Sequence, residues 1–301
     1  MPSSYALIVT GASGSEEHRA QQRKWREALV KALGERHGMP RERVIALSED
    51  APRAGMRSTR AVVRRVLGDL GSRVTSNDVL LIVLMGHSSF DGVDAKFNLV
   101  GPDIEAHEWN RLLKPFAGRI VFVNTTGASS PFLERVAGRN RVIITATHSP
   151  AQKYDTVFPE FWVEALGSAE TDLDRNGRIS IWEAFARASG AVRRWYDQKG
   201  QLATERAVID DTNDGAGRDV ATEGEDGLLA SRTFLDAEPA MAGGDPAVAV
   251  LVSRRDQLEL QLDELKRKRS FMPPGDYEQE LERVLIEIAR VSREIRRKAK
   301  S

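Results

Sequence analysis

A three-layer α/β sandwich with a mainly parallel sheet is the fold this sequence predicts. Short β-branched runs recur through its first half, and amphipathic stretches with helical spacing separate them. Runs as apolar as Val79 to Met85 read as strands buried on both faces, as in a parallel sheet covered by helices on each side. In such sheets the loops at the carboxyl ends of the strands build the site. That singles out Thr10, Gly86 to Ser89, Asn124 to Ser130 and Thr147 to Pro150.

In chain order, strands are expected at 5–10 (YALIVT), 43–47 (RVIAL), 79–85 (VLLIVLM), 119–123 (RIVFV) and 141–147 (RVIITAT). Helices are expected from Glu16 to Leu33, where Trp25, Leu29 and Leu33 share a face, and from Ser58 to Leu70. Another begins at Pro131, with Thr126, Ser129 and Ser130 as turn and capping residues before it. The α/β domain is placed at 1–235. Residues 236–249, rich in Pro, Gly and Ala, read as a linker. From 250 to 301, leucines and isoleucines at near-heptad spacing flank Pro273-Pro274-Gly275 and predict a helical hairpin. Its apolar seam must be covered by itself, by the main domain or by another copy, so self-association is one expected use.

Composition limits the functions available. The 301 residues hold 41% hydrophobic and 29% charged side chains, enough for a sizeable core. Lys plus Arg and Asp plus Glu both number 44, so no global field gathers nucleic acid or an anionic membrane, and nucleic acid is not expected as a partner. The basic helix ends 266–269 and 296–300 read as charges complementing helix dipoles. No apolar run approaches the ~20 residues of a membrane span. Taken as written the chain is expected in the cytoplasm, or exported if a signal segment has been removed ahead of it. Cysteine is absent, which excludes disulfides, thiolate metal sites and a cysteine nucleophile.

The first strand-end loop, Thr10-Gly11-Ala12-Ser13-Gly14, has a superficial likeness to a glycine-rich phosphate loop. A third glycine is missing, and Glu16 and Glu17 open the following helix, where a pyrophosphate would be repelled. A tight strand-to-helix turn is the favoured reading, and a nucleotide-binding oxidoreductase is the least favoured function. The third strand ends in MGHSSFDG and the fourth in VFVNTTGASSPFLE, placing His87 and the run from Asn124 to Ser130 on neighbouring loops.

In these two strand ends, and in the order of elements from about 5 to 235, the chain resembles the legumain and caspase-like peptidases. In that group a His-Gly pair follows one strand, and a cysteine with a small, glycine-containing turn follows the next. The resemblance implies a caspase-like fold, with His87 in the place of the general base, Thr126 in the place of the cysteine and Ser88 in the place of the glycine. An internal threonine hydroxyl stays protonated and needs an especially good base, so the expected function is a pseudopeptidase: a non-catalytic peptide- or protein-binding or scaffolding module. The alternative is an active hydrolase using Thr126 or Ser129 with His87. His148 ends the next strand and is a further candidate for the same cleft.

Residues 172–183, DLDRNGRISIWE, follow the twelve-residue EF-hand loop position by position. Asp172, Asp174 and Asn176 supply side-chain oxygens at positions 1, 3 and 5, and Gly177 the turn at 6. Arg178 supplies a backbone carbonyl at 7, Ser180 a direct or water-mediated contact at 9, and Glu183 a bidentate carboxylate at 12. Calcium is therefore the expected cofactor, with a structural role. A second acidic run, Asp210 to Gly215, has no carboxylate at its closing position, Ala221, and is read as an acidic surface loop with a divalent ion as the alternative.

Overall fold

The computed structural model describes residues 3–236 and, beyond them, 250–251, 254–255, 257–258, 261–262, 265 and 272–298. The chain divides into two compact units, Met1–Ala237 and Glu238–Ser301.

The first unit is built on a six-stranded sheet of order β2-β1-β3-β7-β8-β9. β1 (Ser4–Thr10), β2 (Val44–Leu47), β3 (Val79–Met85), β7 (Arg119–Asn124) and β8 (Arg141–Thr145) are parallel, and β9 (Val208–Asp210) closes the edge antiparallel to β8. Alternation along β1 sorts the core into two: Ala6 and Ile8 face one cluster, Leu7 and Val9 the other. The first face is covered by α1 (Glu16–Glu35), α5 (Phe158–Gly167) and α6 (Ile181–Gln198) through Trp25, Leu29, Phe158, Trp162 and Phe185. The second is covered by α2 (Arg60–Gly71), α3 (Ala106–Leu113) and α4 (Ser130–Val136) through Val63, Leu67, Trp109 and Phe132. The result is the three-layer α/β sandwich expected from the sequence.

A small antiparallel sheet not expected from the sequence follows β3 directly: β4 (Ser88–Phe90), β5 (Ala95–Phe97) and β6 (Ile104–Glu105). It reaches back over the first strand-end loop. Gly11 is required there, because a Cβ would stand 2.2 Å from the Asn98 carbonyl oxygen.

In the second unit the C-terminal helix runs Pro274–Lys298, beginning at the expected turn. The described positions between 250 and 265 are helical, and Arg254 donates to Glu287 at 3.0 Å, tying the two segments. Most of the expected linker, 237–249, lies outside the described residues, whereas the expected seam positions of the first arm, Leu251, Leu258, Leu262 and Leu265, are all described and helical. No helix among the described residues is long and apolar enough to cross a membrane.

Candidate functional site

β3 must end at Gly86, whose φ of +136° is one that side chains rarely adopt and whose Cβ position is crowded by Gly11. This turn presents His87, a third of whose side chain is exposed. Its Nδ1 lies 3.3 Å from Asp155 Oδ1, and its Nε2 lies 3.2 Å from the Ser13 carbonyl oxygen. The other oxygen of Asp155 is 3.1 Å from His18 Nε2, and the two imidazoles meet edge to face at 5.0 Å. One carboxylate thus bridges two histidines at the rim of a cleft of about 140 Å³ that also reaches Gln22, Trp25 and Val157. His18 sits in the first turn of α1, where its amide donates to the Ser15 cap. Sequence reasoning missed both His18 and Asp155, because 137 positions separate them and no spacing links them.

Thr126 lies at the next strand end but does not meet the imidazole. It is 1% exposed, and its hydroxyl is 2.6 Å from Ser88 Oγ and 2.7 Å from Asn124 Oδ1. Gly127 explains the burial. A Cβ there would come within 2.3 Å of the Tyr154 carbonyl oxygen, so the 150–154 backbone lies directly across the turn. Ala128, at φ +50°, donates to Gln152 O at 2.7 Å and fastens the same segment. Ser129 is also fully buried, and its hydroxyl faces Thr147 Oγ1 at 3.0 Å, joining the loops after β7 and β8.

His148 opens onto a different pocket of about 380 Å³, formed by α6 and residues of the 203–221 segment. Glu205 lines that pocket from within. It is 2% exposed and accepts from the amides of Val157 and Phe158 at the start of α5 and from the Tyr196 hydroxyl. Burial pushes its carboxyl up to about 7.

The glycine-containing loop after β1 spends its first amides on the protein itself. Gly11 donates to Met85 O, Ala12 to Asn98 O and Ser13 to Glu49. The tight-turn reading has its physical basis in these bonds.

The 172–183 loop connects α5 to α6. Gly177 takes φ +91°, and Asp172 accepts from the amides of Asn176 and Gly177. Oxygens of Asp172, Asp174 and Glu183 all lie within 4.8 Å of one another. Glu183 forms a reciprocal capping box with Ser180 and accepts from Leu173 N at 2.8 Å. Burial, reinforced by the charges of Glu183 and Asp172, holds the Asp174 carboxyl up at about 6. Asn176 stays within the loop, donating to Asp174. The Arg178 guanidinium turns out of it, pairing with Asp236 at 2.8 Å over the Phe234 ring.

The second acidic run is a surface loop at Thr212 to Asp214, which are exposed, and it is anchored by its first two carboxylates. Asp210 is buried and accepts from Asn213 N and Gly215 N, while Asp211 accepts from Gly227 N and Ala230 N. These side chains serve as anchors for turns whose amides need acceptors.

No family model matches the chain, and no curated protein matches it. Among solved structures it is similar to the crystal structure of a structural-genomics protein from Geobacter sulfurreducens, with 14% identity over 78% of this chain and 99% of that one and a TM-score of 0.48.

Proposed function

We propose that the chain is a caspase- and legumain-like pseudopeptidase, a non-catalytic module that binds a peptide or protein segment at the strand-end cleft and is stabilised by calcium. The observation that carries this reading is the burial of Thr126, whose hydroxyl is spent on Asn124 and Ser88 while His87 is spent on Asp155 and Ser13. A nucleophile needs both a base within hydrogen-bond reach and an approach for substrate, and Thr126 is 1% exposed. Ser129, bonded to Thr147 in the interior, is no better placed. What stays open to solvent is the polar rim of His87, His18 and Asp155 above the floor at Trp25, a combination suited to holding a side chain of a bound segment.

Calcium belongs to this reading because the donor set is all oxygen and suits a hard cation. Asp172, Asp174 and Glu183 already converge, their oxygens within 4.8 Å of one another. Asn176, the Arg178 carbonyl and Ser180 complete the set by loop position.

The purified chain is expected to turn over no member of a broad peptide library. Turnover that vanishes in both Thr126→Ala and His87→Ala would overturn the proposal in favour of an active hydrolase.

A further inference from the structure

The opposite end of the sheet holds a pocket of about 450 Å³ at the amino ends of β7 and β8, bounded by the end of α3 and the turn after α4. Among the described residues three cations line it, Lys114, Arg139 and Arg141, and no carboxylate does. Arg141 is the unusual member. It is 7% exposed, yet among the described residues the only partners of its side chain are neutral: Nη1 donates to Asn110 Oδ1 at 2.9 Å and to Val136 O at 2.7 Å. Its Nε and Nη2 have no acceptor among the described residues, and neither atom is sealed from the pocket. Lys114 and Arg139 have no ion-pair partner among the described residues either.

The turn is shaped around this guanidinium. A Cβ at Gly138 would stand 2.9 Å from Arg141 Cζ, so the arginine lies flat against the backbone, and Asn140 takes φ +60° to bring the chain round to it. Asp78, whose carbonyl oxygen approaches the pocket's Gly118, spends its carboxylate on Ser3 N and on Thr75. It offers the arginine no counter-charge. A purely structural role, a strut from α3 to the end of α4, accounts for Nη1 and leaves the rest of the fork unexplained. Buried guanidinium groups are ordinarily paired, because removing an unpaired charge from water is costly. A planar fork with free donors, flanked by a lysine and a second arginine, matches a phosphoryl group in both charge and geometry.

We propose that this pocket binds a small molecule bearing a phosphate or pyrophosphate group, held by Arg141, Lys114 and Arg139. The site stands apart from the strand-end cleft and does not depend on the peptide-binding reading. The test uses the full chain with inorganic phosphate and pyrophosphate as probes, against sodium chloride at matched ionic strength and with the same EGTA in every arm. Calorimetry and thermal unfolding are the readouts. The expected result is a saturable rise in midpoint with pyrophosphate beyond the chloride control. In Lys114→Gln/Arg139→Gln, two exposed positions whose loss leaves the core intact, the apparent affinity should fall tenfold or more. Arg141→Lys should keep the charge and lose the fork, weakening binding beyond any fall in the unliganded midpoint caused by the lost bonds to Asn110 and Val136. No saturable response in the native chain, or an undiminished response in the double variant, overturns the proposal.

Discussion

Glu205→Gln isolates the buried carboxyl that caps α5. In the folded chain this group holds its proton to about 7, against 4.5 for an ordinary glutamate. Below about pH 4.5 both states are protonated and the group is neutral towards folding. As pH rises, the unfolded chain releases the proton first, so stability falls across the window from about 4.5 to 7 and stays reduced above it. That difference corresponds to about 3 kcal/mol at pH 8. Glutamine keeps the shape and removes the charge, but its single oxygen cannot serve both Val157 N and Phe158 N as the carboxylate does, and an amide left without an acceptor costs ~1 to 2 kcal/mol. Glu205→Gln is therefore expected to be more stable than the native chain by about 1 to 2 kcal/mol at pH 8, and less stable at pH 4.5. Urea unfolding followed by tryptophan fluorescence, repeated across that range, measures the difference. A difference that does not vary with pH, or that runs the other way, refutes the reasoning.

Three further expectations rest on other parts of the molecule. Calcium should raise the thermal midpoint of the native chain and have much less effect on Glu183→Gln, which loses the carboxylate at the closing position; equal responses, or none, would end the calcium assignment. Gly127→Ala drives a methyl towards the Tyr154 carbonyl oxygen and should lift the 150–154 segment, costing ~1 to 3 kcal/mol and speeding tryptic cleavage after Lys153; an unchanged cleavage rate would mean the segment does not rest on that turn. Leu285 and Ile286 are 47% and 43% exposed on the C-terminal helix, and if they mediate self-association, Leu285→Lys with Ile286→Lys should lower the mass read by light scattering, whereas an identical mass excludes this face.

The strands at the middle of the sheet were legible because they are buried on both sides, and an unbroken apolar run such as Val79 to Met85 has few other uses. Helix α1 was legible for a related reason, its apolar residues recurring on one face. The small sheet after His87 was not. β4 reads Ser-Ser-Phe and β6 only Ile-Glu, too short and too polar to show a period. In the site, local order was readable and convergence was not. His87 could be placed at a strand end, but that Asp155 would reach it, and that Thr126 would turn to Ser88, depends on the 150–154 segment folding over Gly127. Arg141 was hidden in plain sequence, since a charged residue opening a strand ordinarily points to water.

The 172–183 loop shows how local pattern and tertiary setting combine. Twelve residues fix which oxygens converge, but three close carboxylates repel one another, and that repulsion adds to burial in raising the Asp174 carboxyl. Something outside the loop must hold its frame. The chain provides this from its own segment after α7 (Leu228–Ser231): Ile181 donates to Thr233 O at 2.9 Å, Ser180 pairs with Phe234 in an isolated bridge, and Arg178 reaches Asp236. On the other side, Glu183 caps α6 through Ser180, so the residue at the closing position is fixed by the helix it begins. Ordering the loop in advance reduces the entropy that ligand binding must overcome, since backbone freedom of ~1 to 2 kcal/mol per residue has already been lost in folding. If calcium binds as proposed, a braced loop of this kind suits a structural ion better than a sensor, because the helices it joins, α5 and α6, are both packed into the same core and have little room to reorient.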